Sequence, residues 1–572
     1  MGASPTLKPS PQRSPKSETS KPKLGLRAWM NRVLVECDRA AEGFDADAVH
    51  DLRVALRRCR SLADGLRAID PDSSWKDMKK AGKKLFQALG ELRDMQVMQE
   101  WVEKLSDEKL RDEKLSNPAD PAADDLSGDR LSGDSVAATL LDHVHAREAE
   151  CKQHAFKDLN QFDRKQWRQW SRTLPQRAAR VRPGSAVYLH LALEKWTAAY
   201  ELHKHAMRTR SQVAWHELRI GIKRFRYTVE NFLPRQHALW GDDLKELQDL
   251  LGEVHDLDVL WATAIDPNVG AFPDPETRRR WREKLTAERA KRIARYREKM
   301  VGRQSLWRVW RAGLPSGPQL RAAAMSRLRT WAGYINADFS HSQRVAQLSL
   351  LLYDGLKNAG LLATHAVAPN LDQSSGRISD HISEYDPRDV LQAAALMHGV
   401  GKAKGSENYQ KISYRMIRGL ARPLGWSARE LQLAALVARY HRGALPRPRG
   451  KTMQLLELPD RPIAMELAGI LRLANALDAC HRHSPNQKEH APQLEVSLLD
   501  RDRSVVVRVA GYSALDRSAE AVAAARHLLE TVLRRPVLIR TLRASMAERT
   551  TERRSQAVGL RSQETGDSRM VS

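Results

Sequence analysis

The stretch VHDLRVALRRCRSL, residues 49–62, returns about 166 residues later as WHELRIGIKRFRYT, residues 215–228. Both copies follow one rule: a histidine, Arg three residues on, Arg or Lys seven on, Arg eight on and Arg ten on. A helix turns about 100° per residue, so His50, Arg53, Arg57 and Arg60 fall within roughly 80° of one another. His216, Arg219, Lys223 and Arg226 do the same in the second copy. The opposite side of the first carries Leu52, Ala55, Leu56, Cys59 and Leu62; that of the second carries Leu218, Ile222, Phe225 and Val229. Each segment therefore reads as an amphipathic helix with an apolar anchor and a row of cations headed by a histidine. Two copies at matched spacing indicate an internal duplication.

The context of each copy repeats as well. LGELRDMQVM, residues 89–98, follows the first, and LGEVHDLDVL, residues 251–260, follows the second, so that Gly90 matches Gly252 and Asp94 matches Asp256. The two aspartates are expected to hold an arginine or cap a helix. A lysine-rich helix with Lys76, Lys79, Lys80, Lys83 and Lys84 is expected to run into the first of these motifs. Residues 116–134 are rich in Pro, Asp, Ser and Gly and read as an acidic loop. Helices are expected to resume over 135–174, then over 187–207, and a charged one over 276–310.

The whole chain of 572 residues has 95 Lys and Arg against 70 Asp and Glu, a formal net charge of +25. Such an excess calls for a polyanionic partner: polyphosphate, nucleic acid or an acidic membrane surface. Cys37, Cys59, Cys151 and Cys480 are scattered with no CxxC pair, which argues against a zinc knuckle or a disulfide framework and makes a reducing cytoplasm the default. Residues 3–23 are Ser, Pro and Lys with no apolar run, unlike a signal peptide. No stretch reaches the roughly 18 apolar residues a membrane helix needs, so no membrane insertion is expected. A new helical array runs from about residue 320 to 479, with a polar loop at 372–380. Strand-like runs follow only at LEVSLL (from 494), VVVRVAGY (from 505) and VLIRTL (from 537), with a helix over 519–533.

The paired basic motifs, each with its LGE-containing partner, resemble the two halves of a CHAD domain, the histidine-rich α-helical domain. That resemblance implies two pseudo-symmetric four-helix bundles lining a basic channel that binds inorganic polyphosphate. Carried over, the channel residues are His50, Arg53, Arg57, Arg58 and Arg60, with Lys83, Lys84, Arg93 and Arg147. From the second half they are His216, Arg219, Lys223, Arg224 and Arg226. The chemistry is compatible: a string of phosphates needs dense charge-assisted donors, and it favours protonated histidine. The plainer reading is a pair of solvated helix faces, but arginine dominates, the row is duplicated and few acids interrupt it. The rows also lack the interleaved aromatics that a single-strand nucleic-acid platform uses.

HSQRVAQLSLLLYDGL, LQAAALMHGVGK, LQLAALVARYHRGALP and ILRLANALDACH, spread over residues 341–481, resemble the C-terminal region of the exopolyphosphatase and guanosine-pentaphosphate phosphohydrolase family. The resemblance implies an HD-type helical domain with a small terminal αβ unit. An HD metal site uses histidines and two aspartates. Here His341, His398 and His441 remain, but Gly399 and Asn475 stand where the carboxylates belong. The expectation is a degenerate remnant with no metal, no cofactor and no catalytic residue, in which Asp478 is the one acid able to substitute.

The resulting expectation is mainly α. Residues 1–23 form a disordered basic tail and 24–314 a CHAD domain, with repeats at about 24–174 and 185–314. Residues 320–545 form the HD-like domain with its αβ unit, and 546–572 a disordered tail. The expected function is polyphosphate binding by a cytoplasmic protein at polyphosphate granules, either as a granule component or as a regulator of polyphosphate-metabolising enzymes. The alternatives are an HD-type phosphohydrolase of polyphosphate or guanosine polyphosphates, and a nucleic-acid-binding protein.

Overall fold

A computed structural model describes residues 25–115, 127–362, 385–482, 493–499 and 503–542. The protein is mainly α, and its described strands are confined to one small sheet near the C-terminus. The chain divides into two compact units. One holds the described residues up to Asp64, together with Ser73–Arg180 and Asp256–Ala287. The other holds Gly65–Asp72, Val181–His255 and the described residues from Glu288 onward. The second repeat is thus divided: residues 185–255 and 288–314 share a unit with the helical array that follows, while Asp256–Ala287 is grouped with the first repeat.

The first unit is built on α1 (Leu26–Gly43), α2 (Ala46–Arg67), α3 (Ser74–Ala81), α4 (Lys83–Leu115), α5 (Ser127–Asn160) and α6 (Arg164–Ala178). α1 packs on α6, where the buried Trp167 indole donates to the Met30 carbonyl at 3.0 Å. α4 packs on α5, and Met98, Trp101, Val102, Leu140 and Val144 form a core with Leu257, Leu260 and Leu285.

Several helices expected to be continuous are broken. The lysine-rich helix ends at buried Gly82, where an added Cβ would stand 3.4 Å from Leu56 and 3.7 Å from Trp167. The helices expected over 135–174 are α5 and α6, separated where Asp163 caps α6 by accepting from the Gln166 amide at 2.8 Å. α5 also begins at Ser127, so helix replaces loop in the second part of 116–134. Residues 116–126 and 372–380 and both expected tails lie outside the described residues.

In the second unit, α7 (Ala186–Thr209) packs against α8 (Gln212–Phe232), and α9 (Pro234–Ala264) follows. The charged helix expected over 276–310 is divided into α10 (Pro275–Met300) and α11 (Leu306–Ala312). The later array comprises α12 (Gly317–Ile335), α13 (Phe339–Asn358), α14 (Pro387–Met397), α15 (Tyr409–Arg418), α16 (Ala428–Arg439) and α17 (Asp460–Arg482). Alanines and leucines of α13, α14, α16 and α17 fill its core.

β1 (Leu494–Leu499) pairs antiparallel with β2 (Ser504–Val509), and β2 pairs parallel with β3 (Val537–Thr541). The crossover between β2 and β3 is α18 (Ser518–Leu533), which lies on α17. Central β2 is almost wholly buried, which accounts for its unbroken valine run. No helix of the described residues is long and apolar enough to cross a membrane.

α7 and α12 join the repeat to the array. His190 of α7 is fully buried; its Nε2–H donates to the Leu424 carbonyl at 2.9 Å, and Arg327 of α12 reaches its Nδ1 at 3.3 Å. Arg327 also pairs with Glu194 and donates to the Ala68 carbonyl at 3.2 Å.

Candidate functional site

α2 presents the first cationic row. Leu52, Ala55, Leu56 and Cys59 are buried, while His50 is exposed and Arg53, Arg57 and Arg60 are half-buried. Each buried leucine contributes roughly 1.5–3 kcal/mol, so the apolar side holds the helix and leaves the cations to other duties. Phe86 of α4 supports the row: the Arg60 guanidinium lies 4.9 Å from its ring centroid and that of Arg53 lies 6.0 Å away. Arg60 also donates to the Lys79 carbonyl at 2.8 Å. Burial lowers the Arg60 pKa, and Asp64 opposes the shift. Arg53 stands 4.0 Å from Asp94, the role expected of that aspartate. Arg57 has no ion pair with a described residue.

The remaining first-half residues are placed differently. Arg58 points about 100° from Arg57, and its guanidinium lies 5.6 Å from the Trp29 ring, apart from the row. Lys83 and Lys84 are exposed at the start of α4, and Lys84 sits beside a shallow pocket of mixed charge with Glu91, Lys157 and Asp158. Arg93 lies 3.1 Å from Glu100, and Arg147 pairs with Glu150. The aromatic ring beside the first row, Phe86, comes from α4 and is not interleaved with the cations of α2.

α8 presents the second row, its start capped by Ser211, whose hydroxyl accepts from the Ala214 amide at 3.2 Å. Leu218, Ile222, Phe225 and Val229 are buried; His216, Arg219, Lys223 and Arg226 are half-buried, and Arg224 is exposed. Lys223 lies 6.0 Å from the Tyr227 ring centroid. His216 Nδ1 lies 3.4 Å from His255 Nδ1, with the ring centroids 4.8 Å apart.

Burial, followed by the charges of Arg219, His216 and Lys223, lowers the His255 pKa to about 4. These three groups all act on His255 in the same direction. The adjacent Glu253 is turned to Arg292, 2.8 Å away. His255 was not singled out from the sequence. The repeat contains the signal: in LGEVHDLDVL it takes the place that Arg93 holds in LGELRDMQVM.

The three histidines of the later array do meet. The His341 and His398 ring centroids are 5.2 Å apart, and those of His398 and His441 are 4.7 Å apart. His398 and His441 each donate from Nδ1 to the carbonyl three residues earlier, Ala395 and Ala438, at 2.7 Å. Tyr409 donates to His441 Nε2 at 3.0 Å. His341 Nδ1 donates to Asp478 at 2.6 Å, while its Nε2 lies 3.2 Å from Asn475 Oδ1 and 3.4 Å from His398 Nε2. Burial, with His341 as the next cause, lowers the His398 pKa to about 3; burial and then His398 push that of His441 well below its ordinary value.

Asp478 comes close enough to substitute, but it is already engaged. Arg344 grips it through Nε at 2.7 Å and Nη2 at 3.1 Å. Burial would raise its pKa, but the hydrogen bonds from His341 and Arg344 hold it at about 2. The place of the other carboxylate is closed: a Cβ on Gly399 would stand 2.7 Å from Asn336 Nδ2, which itself donates to Ser342 Oγ at 2.9 Å. These residues do not fit a divalent ion. Among the described residues no group of three or more His, Cys, Asp or Glu is arranged to hold a metal.

A family model described as the CHAD domain matches residues 26–265, and one described as Ppx/GppA phosphatase, domain III, matches residues 321–510. No curated protein matches the chain.

Proposed function

We propose that this protein, a CHAD domain followed by a Ppx/GppA phosphatase domain III, binds inorganic polyphosphate through the cationic rows of α2 and α8 and acts by recognition rather than by turnover. The observation that carries the reading is the surroundings of His255. Arg219, Lys223 and His216 all lower its pKa, and all three side chains are half-buried. Half-buried cations gathered at one place interact strongly with an arriving anion. A phosphate chain supplies several negative oxygens at once and suits guanidinium forks.

The later array then serves as a second binding surface or an interaction module, placing the protein at polyphosphate granules or beside enzymes that act on the polymer. The test is titration of the full chain with long-chain polyphosphate, RNA and DNA at matched phosphate concentration over a salt series. Polyphosphate should bind tightest, with affinity falling steeply as salt rises, because counterions are released from the polymer. Equal or tighter binding of RNA would replace this reading with the nucleic-acid one.

A further inference from the structure

A second concave site lies in the same unit as α8 and shares no residue with either cationic row. α7, the turn after α10, and α11 enclose a pocket of about 850 Å³. That volume is within the range of small-molecule sites. Its wall is aromatic. Trp196 and Tyr200, one helical turn apart, stack with centroids 5.1 Å apart at 14°, and Trp307 meets them edge-on at 5.9 and 5.5 Å. The indole N–H of Trp196 is buried with no acceptor among the described residues.

The rim is cationic. Arg303 and Arg308 are exposed, and neither has an acid within ion-pair distance among the described residues. Arg311 lies 6.0 Å from the Trp196 ring, held by the Leu314 and Pro315 carbonyls. No aspartate or glutamate lines the pocket.

We infer that this pocket binds a nucleoside phosphate, with the base against the Trp196–Tyr200–Trp307 wall and the phosphates on Arg303 and Arg308. Two features require both halves of such a ligand. Aromatic walls favour a planar ring system, because stacked or edge-on π contacts add to the area buried. Two exposed arginines without acids favour an anionic tail, and bidentate phosphate recognition is the guanidinium's particular strength. Inorganic phosphate would use the rim and leave the wall empty; an uncharged aromatic would do the reverse.

The test is calorimetric titration of the full chain with ATP and GTP, alongside inorganic tripolyphosphate and adenosine. Three variants are compared: Arg303→Glu with Arg308→Glu, Trp196→Phe, and Arg219→Glu with Lys223→Glu. The expected result is that a nucleotide binds at least about tenfold more tightly than tripolyphosphate or adenosine, a gap of about 1.4 kcal/mol. The Arg303/Arg308 variant should lose nucleotide binding and keep long-chain polyphosphate binding. Trp196→Phe, which shrinks the stacking wall, should weaken the nucleotide alone.

The Arg219/Lys223 variant should show the opposite pattern and retain the nucleotide. Both arginines of the first variant are exposed, so an unchanged circular-dichroism spectrum checks its fold. The inference is overturned if the nucleotide follows the Arg219/Lys223 variant, if tripolyphosphate binds that variant as well as the nucleotide does and is lost with Arg303 and Arg308, or if no nucleotide binds. None of these outcomes bears on whether the rows take polyphosphate.

Discussion

Gly399 and Gly401 show how single positions decide what the later array can do. Gly401 is wedged against backbone: an added Cβ would meet the Tyr409 carbonyl at 2.2 Å and the Ser413 amide at 2.7 Å. Its own N–H donates to Ser413 Oγ at 2.8 Å, and that hydroxyl donates to the His398 carbonyl at 2.7 Å. Gly401→Ala should therefore destabilise the protein by about 1–3 kcal/mol, read as a lowered melting temperature. Gly399→Asp with Asn475→Asp should not restore metal binding, because Asn336 occupies the space the new side chain needs. Stoichiometric manganese or zinc in that double variant after dialysis would show the interior to be more yielding than described here.

The motifs located His341, His398 and His441, whose neighbours are periodic and apolar. They did not reveal Asn336, because a lone asparagine at a helix end carries no periodic signal. His255 lay within reach through the internal repeat, but a histidine replacing an arginine is easily passed over when only identical positions are compared.

At the level of elements, α2 and α8 keep apolar and cationic sides apart, and that separation was legible because it follows the helical period. The breaks at Gly82 and Val301–Ser305 were not legible, since hydrophobic periodicity runs on through a short interruption. Arg53→Glu with Arg57→Glu, or Arg219→Glu with Lys223→Glu, should weaken polyphosphate binding at least about tenfold, consistent with losing charge-assisted contacts. Helicity should persist, because the changed side chains lie away from the buried faces. Unchanged affinity with an unchanged circular-dichroism spectrum would identify these rows as solvated surface.

Protons act on α7 and α9 in two directions. The folded pKa of His255 is about 4, and so is that of His203, the latter by burial alone. Both lie below the ordinary histidine value near 6.5. Between these values the unfolded chain binds more protons, so the stability associated with these groups is complete above about pH 6.5 and declines toward pH 4. Polyphosphate should reverse the sign for affinity. Its charge offsets Arg219 and Lys223, raises the His255 pKa and makes binding proton-linked. Melting temperature should fall, and polyphosphate affinity should rise, between pH 7 and 5. A pH-independent affinity would remove His255 from the site.

Over the whole molecule, the composition change near residue 315 suggests a domain boundary, and the matched families respect it. The packing does not stop there. Residues 181–255 belong with everything described from 288 onward, and the buried link is His190, Glu194, Arg327 and the Leu424 carbonyl. That arrangement could not be read from pattern, because it depends on a few polar contacts between segments more than 130 residues apart in the chain. Arg327→Ala should cost roughly 1–3 kcal/mol by leaving Glu194 and the Ala68 carbonyl without their donor. The melting transition of the second unit should shift as one step. Two separate transitions, with only one displaced, would divide the unit.

The His190–Arg327 link has a consequence for inheritance. A gene fusion or recombination event at the apparent seam would leave a fully buried imidazole facing water on one product and an unanchored arginine on the other. The two halves are therefore not interchangeable cassettes. A chimera that takes its later array from another protein should express poorly unless α7 travels with α12.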